Sequence, residues 1–313
     1  MKIFITGGTG FIGSHVVRAV LAGGHEVVAL RRKNSSLVRS ADFLREVAWL
    51  DHDASDWTEA VAAKKPEVII HCAWRGVTAD ERADWKLQAE NLILSGELLK
   101  IAVRVGLSQF IALGSQAEYG AVEGRVNEAH PCRPETAYGT TKLAALTLLQ
   151  GFARQHKLNW VWLRLFSVYG PGESGTWFVP NLIQQMQRGS PPQLSGCEQR
   201  YDYLHVHDVA AGVLAVLSQP GQSGVFNLSS NASWPLKHLV QLIKEHTQCK
   251  VEPAFGALPY RAGQSMHIEG DSTRFNQTFN FQPRINLGDG LRQTIEATLQ
   301  PAGAVAPKQK IIA

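Results

Sequence analysis

Tyr138 and Lys142 are the pair whose types and spacing most directly suggest chemistry. On a helix, residues i and i+4 share a face one turn apart, so a phenol and an ammonium so placed can reach one ligand. Of the six tyrosines, only Tyr138 has a lysine four residues on. A nearby ammonium favours the phenolate and lowers the tyrosine pKa. Tyr138 is therefore expected to act as a general acid or base near neutral pH. Lys142 can also hold ribose hydroxyls. Ser115 ends the apolar run 110–114, where a strand-end hydroxyl can hydrogen-bond a reacting oxygen. The plainer alternatives are a chance surface pair and a strand-end cap.

The N-terminus offers a place for a nucleotide beside such a group. Thr6-Gly7-Gly8-Thr9-Gly10-Phe11-Ile12-Gly13 follows the apolar run Ile3-Phe4-Ile5 and opens a segment of helical spacing. The free amides of a helix N-terminus bind phosphate, and glycines let the backbone approach it. Gly7, Gly10, Phe11, Ile12 and Gly13 are the candidate cradle; a tight turn without a ligand is the alternative.

After the second strand the chain reads Arg31-Arg32-Lys33, with no carboxylate to accept from a ribose 2′-hydroxyl. Arg31 and Arg32 could clamp a 2′-phosphate instead, which favours NADP(H) over NAD(H). The alternative is a solvated basic loop. Asp53 either accepts from an adenine amino group or belongs to an acidic turn capping the helix near Asp56. In His71-Cys72-Ala73-Trp74, Cys72 and Ala73 are small enough for a cofactor to cross the strand ends, while His71 also reads as a packed strand-end residue.

The elements that must position these groups alternate. Apolar runs at 2–6, 26–30, 46–50, 68–71, 110–114 and 160–165 predict strands, and helix-period segments at 11–22, 57–64, 85–105 and 136–156 predict helices. This is the pattern of a doubly wound α/β fold, a parallel sheet covered on both faces. Beyond Gly170, proline and glycine punctuate the chain. Strands are expected at 202–206, 225–228 and 251–254, and helices at 208–218, 236–246 and 288–299. We read residues 1–170 as a dinucleotide-binding Rossmann domain with later returns to it. Residues 171–301 form mainly a smaller, interleaved α/β substrate lobe, and 302–313 a fraying tail.

Composition narrows the classes further. A net charge of +4 is too mild to argue for nucleic acid. The four cysteines are far apart and show no metal-ligand spacing, which favours reduced thiols in a cytoplasmic protein and no metal site. No apolar run approaches the roughly 18 residues of a membrane span.

Taken in chain order, these motifs resemble the extended short-chain dehydrogenase/reductase family of nucleotide-sugar epimerases, dehydratases and reductases. Gly7, Gly10 and Gly13 match its glycine turn, and Ser115, Tyr138 and Lys142 its triad. Asn91 matches a helix asparagine that supports the site. The segment from Leu163 to Gly172 matches L-R-x-x-N-V-Y-G-P-G, with Ser167 where the family often has Asn. The stretch Asp202 to Val209 matches D-[FY]-[IV]-H-V-x-D-[LV]. Arg261 matches a late arginine that meets the nucleotide diphosphate. Arg200 stands one residue earlier than the family's arginine, on the opposite strand face.

The resemblance implies a nucleotide-diphosphate sugar as substrate and a homodimer formed through a four-helix bundle. Trp74, Arg75, Glu118 and Trp177 are candidates to line the sugar pocket, with plain packing or surface exposure as the alternative for each. Ser115-Gln116-Ala117 stands where dehydratases carry Thr-Asp-Glu, so elimination of water lacks its acid and base. That gap and the basic loop favour an NADPH-dependent reductase of a nucleotide 4-keto-6-deoxyhexose at C4. The alternatives are a 4-epimerase with tightly bound NAD and a non-catalytic dinucleotide-binding regulator.

Overall fold

The structure is a computed structural model that describes residues 1–261 and 263–299. The expected tail, 302–313, and the end of the expected substrate lobe lie outside the described residues. The first half alternates β1 (Lys2–Thr6), α1 (Phe11–Ala22), β2 (Glu26–Arg31), β3 (Ala48–Asp51), α2 (Trp57–Lys64), β4 (Val68–His71), α3 (Trp85–Val105) and β5 (Gln109–Ser115). There follow β6 (Gly124–Val126), α4 (Ala137–His156), β7 (Trp160–Leu165), β8 (Ser167–Tyr169), α5 (Phe178–Gln187), β9 (Arg200–His205), α6 (Val206–Leu217) and β10 (Gly224–Leu228). The chain then adds β11 (Ser233–Pro235), α7 (Leu236–His246), β12 (His267–Gly270), α8 (Thr273–Phe279) and α9 (Leu287–Leu299).

The main sheet runs in the order β10-β7-β5-β4-β1-β2-β3. Every pairing in it is parallel. Its strands are apolar on both faces because helices cover both. Ile3 and Ile5 join Val16, Val20 and Val213 on one side, whereas Phe4 and Ile69 join Leu98, Leu146 and Leu149 on the other. From β1 the order departs toward β2 and β3 on one side and toward β4, β5, β7 and β10 on the other. A ligand crevice is expected where the strand order reverses, at the C-terminal ends of β1 and β4.

Two long helices flank that crevice, and each has a local start signal. Asp84 Oδ1 accepts from Leu87 N at 3.0 Å and caps α3. Thr136 Oγ1 accepts from Gly139 N at 3.1 Å and caps α4, which places Tyr138 in its first turn.

A smaller sheet, β11-β9-β12-β6, stands beside the main one, with β8 paired to β9. Its short strands β6, β8, β11 and β12 lack the apolar runs used to find the others. The expected strand at 251–254 is not formed; Ala254 makes only an isolated bridge to Gln193. The strand expected at 46–50 begins at Ala48, and the helix expected at 208–218 begins at Val206.

Candidate active site

The glycine turn lies at the strand-order reversal. Gly7 has φ +75°, and a Cβ there would stand 2.7 Å from the Ala73 amide nitrogen. Glycine thus lets the end of β1 approach the end of β4. A Cβ on Gly13 would overlap the Gly7 carbonyl oxygen, so the turn folds back on the first turn of α1. Gly10 N donates to Gly7 O at 2.9 Å, and no side chain caps α1. An uncapped helix N-terminus at such a crevice suits a dinucleotide pyrophosphate. Thr6 Oγ1 accepts from Ala73 N at 3.2 Å and lies 2.8 Å from His71 Nδ1, fastening the two strand ends. Burial holds the His71 imidazole down to about 3, so it stays neutral, as a packed strand-end residue does.

Ser115, Tyr138 and Lys142 come together beside this crevice. The Ser115 hydroxyl accepts from Ala117 N at 3.2 Å, and its proximity to the Tyr138 phenol favours the ionised form. Lys142 Nζ donates to Leu113 O at 2.8 Å and sits 3.6 Å from the centre of the Trp74 ring. Trp74 meets Tyr138 edge-on at 6.2 Å, and its Nε1 donates to Gln88 Oε1 at 2.8 Å. Trp74 therefore backs both functional side chains.

The electrostatics differ from those expected. Burial raises the Tyr138 pKa, and the Arg82 charge and the Ser115 hydroxyl oppose that rise. Burial also lowers Lys142 to about 7, although Glu118 and Cys72 pull it upward. Arg82 stands in the loop before α3. Its guanidinium lies 4.5 Å from the centre of the Tyr138 ring and 5.0 Å from that of Trp177. Nothing in the spacing of the sequence singles out this loop arginine.

Glu118, a candidate for the sugar pocket, has its carboxylate committed to the interior. It is fully buried, and Oε1 accepts from Ser115 N at 2.8 Å and from Trp162 Nε1 at 2.9 Å. Oε2 accepts from Arg164 Nε at 2.7 Å. The Arg164 guanidinium also covers the Tyr119 ring at 4.5 Å. A charged arginine inside a buried strand requires a buried acid, and Glu118 supplies it while pinning the Ser115 backbone. Arg164 was the available sequence signal for this partnership.

Asn91 anchors the loop after β4: Oδ1 accepts from Arg75 N at 2.7 Å, and Nδ2 donates to Arg75 O at 3.2 Å. The Arg75 side chain itself turns to Glu90, at 2.8 Å. Cys72 and Ala73 flank the Gly7 turn, and burial pushes the Cys72 thiol up to about 12.

At the far end of β2, Arg31 stacks over Trp49 at 5.8 Å, and Arg32 N donates to Ser35 Oγ at 3.1 Å. Asp53 Oδ2 accepts from Lys33 N at 2.9 Å and ties the loops after β2 and β3 together. Ser167 begins β8, half-buried. Arg200 donates through Nη2 to Ser233 O at 2.7 Å. Arg261 is exposed, with its N–H on Gln264 Oε1 at 3.3 Å, and its charge favours Tyr201 ionisation. Thus Arg200 and Arg261 belong to the smaller sheet's surroundings rather than to the Tyr138 cluster.

The sequence profile of the NAD dependent epimerase/dehydratase family matches residues 3–229, and the chain belongs to that family. It is 27% identical over 312 residues to the UDP-glucose 4-epimerase of Mycolicibacterium smegmatis, covering 95% of this chain and 98% of that one. The structure superposes on a UDP-glucose 4-epimerase of Thermotoga maritima with UDP-glucose at a TM-score of 0.86 and 26% identity, covering 96% and 100% of the two chains. MoeE5, with UDP-glucuronic acid and NAD, gives a TM-score of 0.84 at 26% identity, covering 96% and 99%. The chain is an enzyme of the extended short-chain dehydrogenase/reductase type, with a Rossmann fold. Among the described residues, no helix is long and apolar enough to cross a membrane.

Proposed function

We propose that this chain is a nucleotide-sugar 4-epimerase working with a retained NAD. The observation that carries the reading is the cluster of half-buried Ser115 with buried Tyr138 and Lys142 beside the glycine turn. Its likeness to 4-epimerases along nearly the whole chain brings forward the alternative that the sequence alone placed second. Gly7, Gly10, Phe11, Ile12 and Gly13 would hold the cofactor pyrophosphate, and Cys72 and Ala73 its crossing of the sheet. Lys142 commits one N–H to Leu113 and keeps others for ribose hydroxyls. Once bound, the nicotinamide would supply hydride acceptance and return at sugar C4.

The chain's own residues move the proton. As phenolate, Tyr138 accepts the C4 hydroxyl proton, and as phenol it gives that proton back. Ser115 donates a hydrogen bond to the same oxygen. Its position is fixed because Glu118 holds its backbone N–H. Trp74 and Trp177 supply apolar faces for the sugar, and Arg200 and Arg261 supply cations for the nucleotide diphosphate.

The Arg31–Arg32 pair supports a second reading, an NADPH-dependent reductase of a nucleotide 4-keto-6-deoxyhexose. One experiment separates the two. Incubation with UDP-glucose or UDP-glucuronic acid, without added cofactor, should give the C4 epimer by NMR, and Tyr138→Phe should abolish it. Oxidation of NADPH by a nucleotide 4-keto-6-deoxyhexose, with no epimer formed from either UDP-sugar, would replace the first reading by the second.

We also propose a homodimer through α3 and α4. An open groove lined by Leu92, Ala144, Leu148, Gly151 and Phe152 supports it, together with Ile93, which is 69% exposed. A monomer by sedimentation equilibrium would remove that assignment.

A further inference from the structure

The cation nearest the proposed acid–base group is on neither the triad nor its helix. We propose that Arg82 is a positioning residue that favours the ionisation of Tyr138, alongside Lys142. This rests on the reading of Tyr138 as the proton-transfer group.

Several observations converge on it. The guanidinium lies across the face of the phenol at 4.5 Å and across Trp177 at 5.0 Å, held between two aromatic rings. Cations favour such faces, and a positive charge this close stabilises a phenolate more than a phenol. Its charge is not cancelled locally: Nε is buried without a hydrogen-bond partner, and among the described residues no carboxylate forms an ion pair with it. The loop carrying it is built. Gln88 Nε2 donates to Gly76 O at 2.5 Å and to Glu81 O at 3.0 Å, and Gln88 Oε1 accepts from Trp74. Helix α3 therefore grips the residue before Arg82 and the indole behind Tyr138 with one side chain.

The other groups facing Tyr138 do not substitute for Arg82. Glu118, after β5, raises the phenol pKa, but its carboxylate is already paired with Arg164. Ser115 lowers it as a neutral hydroxyl, without a charge. Lys142, on α4, stands 5.9 Å from the phenol ring centre, against 3.6 Å from Trp74. Burial lowers Lys142 toward about 7, and the Arg82 charge contributes to that fall. An arginine keeps its charge throughout this range, whatever the state of Lys142.

The test needs no substrate, so it can fail separately from the assignment of the reaction. Incorporation of fluorotyrosine, more acidic than tyrosine, gives each phenol a fluorine signal, and Tyr138→Phe identifies the one from Tyr138. The ionisation midpoint of that signal is then compared in the native chain, Arg82→Met and Arg82→Lys. A cation within about 4–6 Å shifts a neighbouring pKa by about 1–3 units, and partial exposure of Arg82 places its effect at the low end. The expected result is a midpoint about one unit higher in Arg82→Met, largely restored in Arg82→Lys. With active enzyme, the rising limb of the pH–rate profile should move up by the same amount. A Tyr138 midpoint no lower in the native chain than in Arg82→Met overturns the proposal. So does equal displacement in Arg82→Lys and Arg82→Met, since a packing role would not distinguish a cation from a thioether.

Discussion

His15 on α1, His205 at the end of β9 and His207 on α6 form a chain of rings, each neighbouring pair 4.9 Å apart. His205 is fully buried, and its Nε2 has no hydrogen-bond partner. Burial, then the neighbouring His207 and His15, lowers its pKa from 6.5 to about 3. The unfolded chain therefore binds a proton that the folded chain refuses. The stability this group permits is present above pH 6.5 and is lost as pH falls toward 3. Near pH 5 the slope approaches about 1.4 kcal/mol per pH unit, so lowering pH from 7 to 5 costs about 2 kcal/mol through His205 alone.

The whole-protein pH curve would hide this. His15 and His71, each held near 3, add losses of the same sign. Asp202, raised to about 6, and Glu173, raised to about 8, act oppositely and recover stability as they protonate. The informative perturbation is His205→Gln, which removes one titrating group and keeps an acceptor for the His207 N–H. Urea unfolding of both proteins should be measured at pH 7, 6 and 5. Whatever the substitution costs at pH 7, that cost should shrink by about 2 kcal/mol at pH 5. Parallel pH dependences for the two proteins would refute the reasoning, because His205 would then titrate alike in both states.

Glu118→Gln should remove about 3–5 kcal/mol of stability, because Arg164 would be left charged and buried; denaturant unfolding checks this. The same change takes away a charge that raises Lys142, so the lysine should titrate below its present value near 7, by NMR of the labelled side chain. Gly13→Ala should cost about 1–3 kcal/mol through overlap with the Gly7 carbonyl and should weaken dinucleotide binding measured by calorimetry. Unchanged binding would show that the turn can open without consequence for the ligand.

The parts of the fold visible in the sequence are those that repeat. Strands β1, β2, β4, β5 and β7 are apolar runs because the sheet is covered on both faces. The helix carrying Tyr138 and Lys142 is long enough to show its period. Of the smaller sheet only β9 was visible, because β6, β8 and β11 have three residues each and take their stability from partners far away in sequence. Helix α5 was missed because Pro180 stands in it, which is tolerated there because it falls in the first turn. Glu118 was placed at the sugar because its neighbour in sequence is the site. Its neighbour in space is Arg164, on another strand. Arg82 carries no periodic signal, since its role comes from a loop folding across the start of α4.

One strand has consequences for how this chain is made. The main sheet is not finished when β7 is laid down, because its outer edge is covered only by Gly224–Leu228, which pairs in parallel with Gly224 opposite Val161 and Leu228 opposite Leu165. Between them the chain leaves to build β8, α5, β9 and α6. A nascent chain released up to residue 170 would therefore present β7 as an open, apolar strand edge, a template for pairing with another molecule. Synthesis must continue past α6 to the end of β10 before that edge is protected. The Rossmann layer and the elements inserted into it thus share one folding event, and a fragment that stops before β10 should aggregate instead of standing alone.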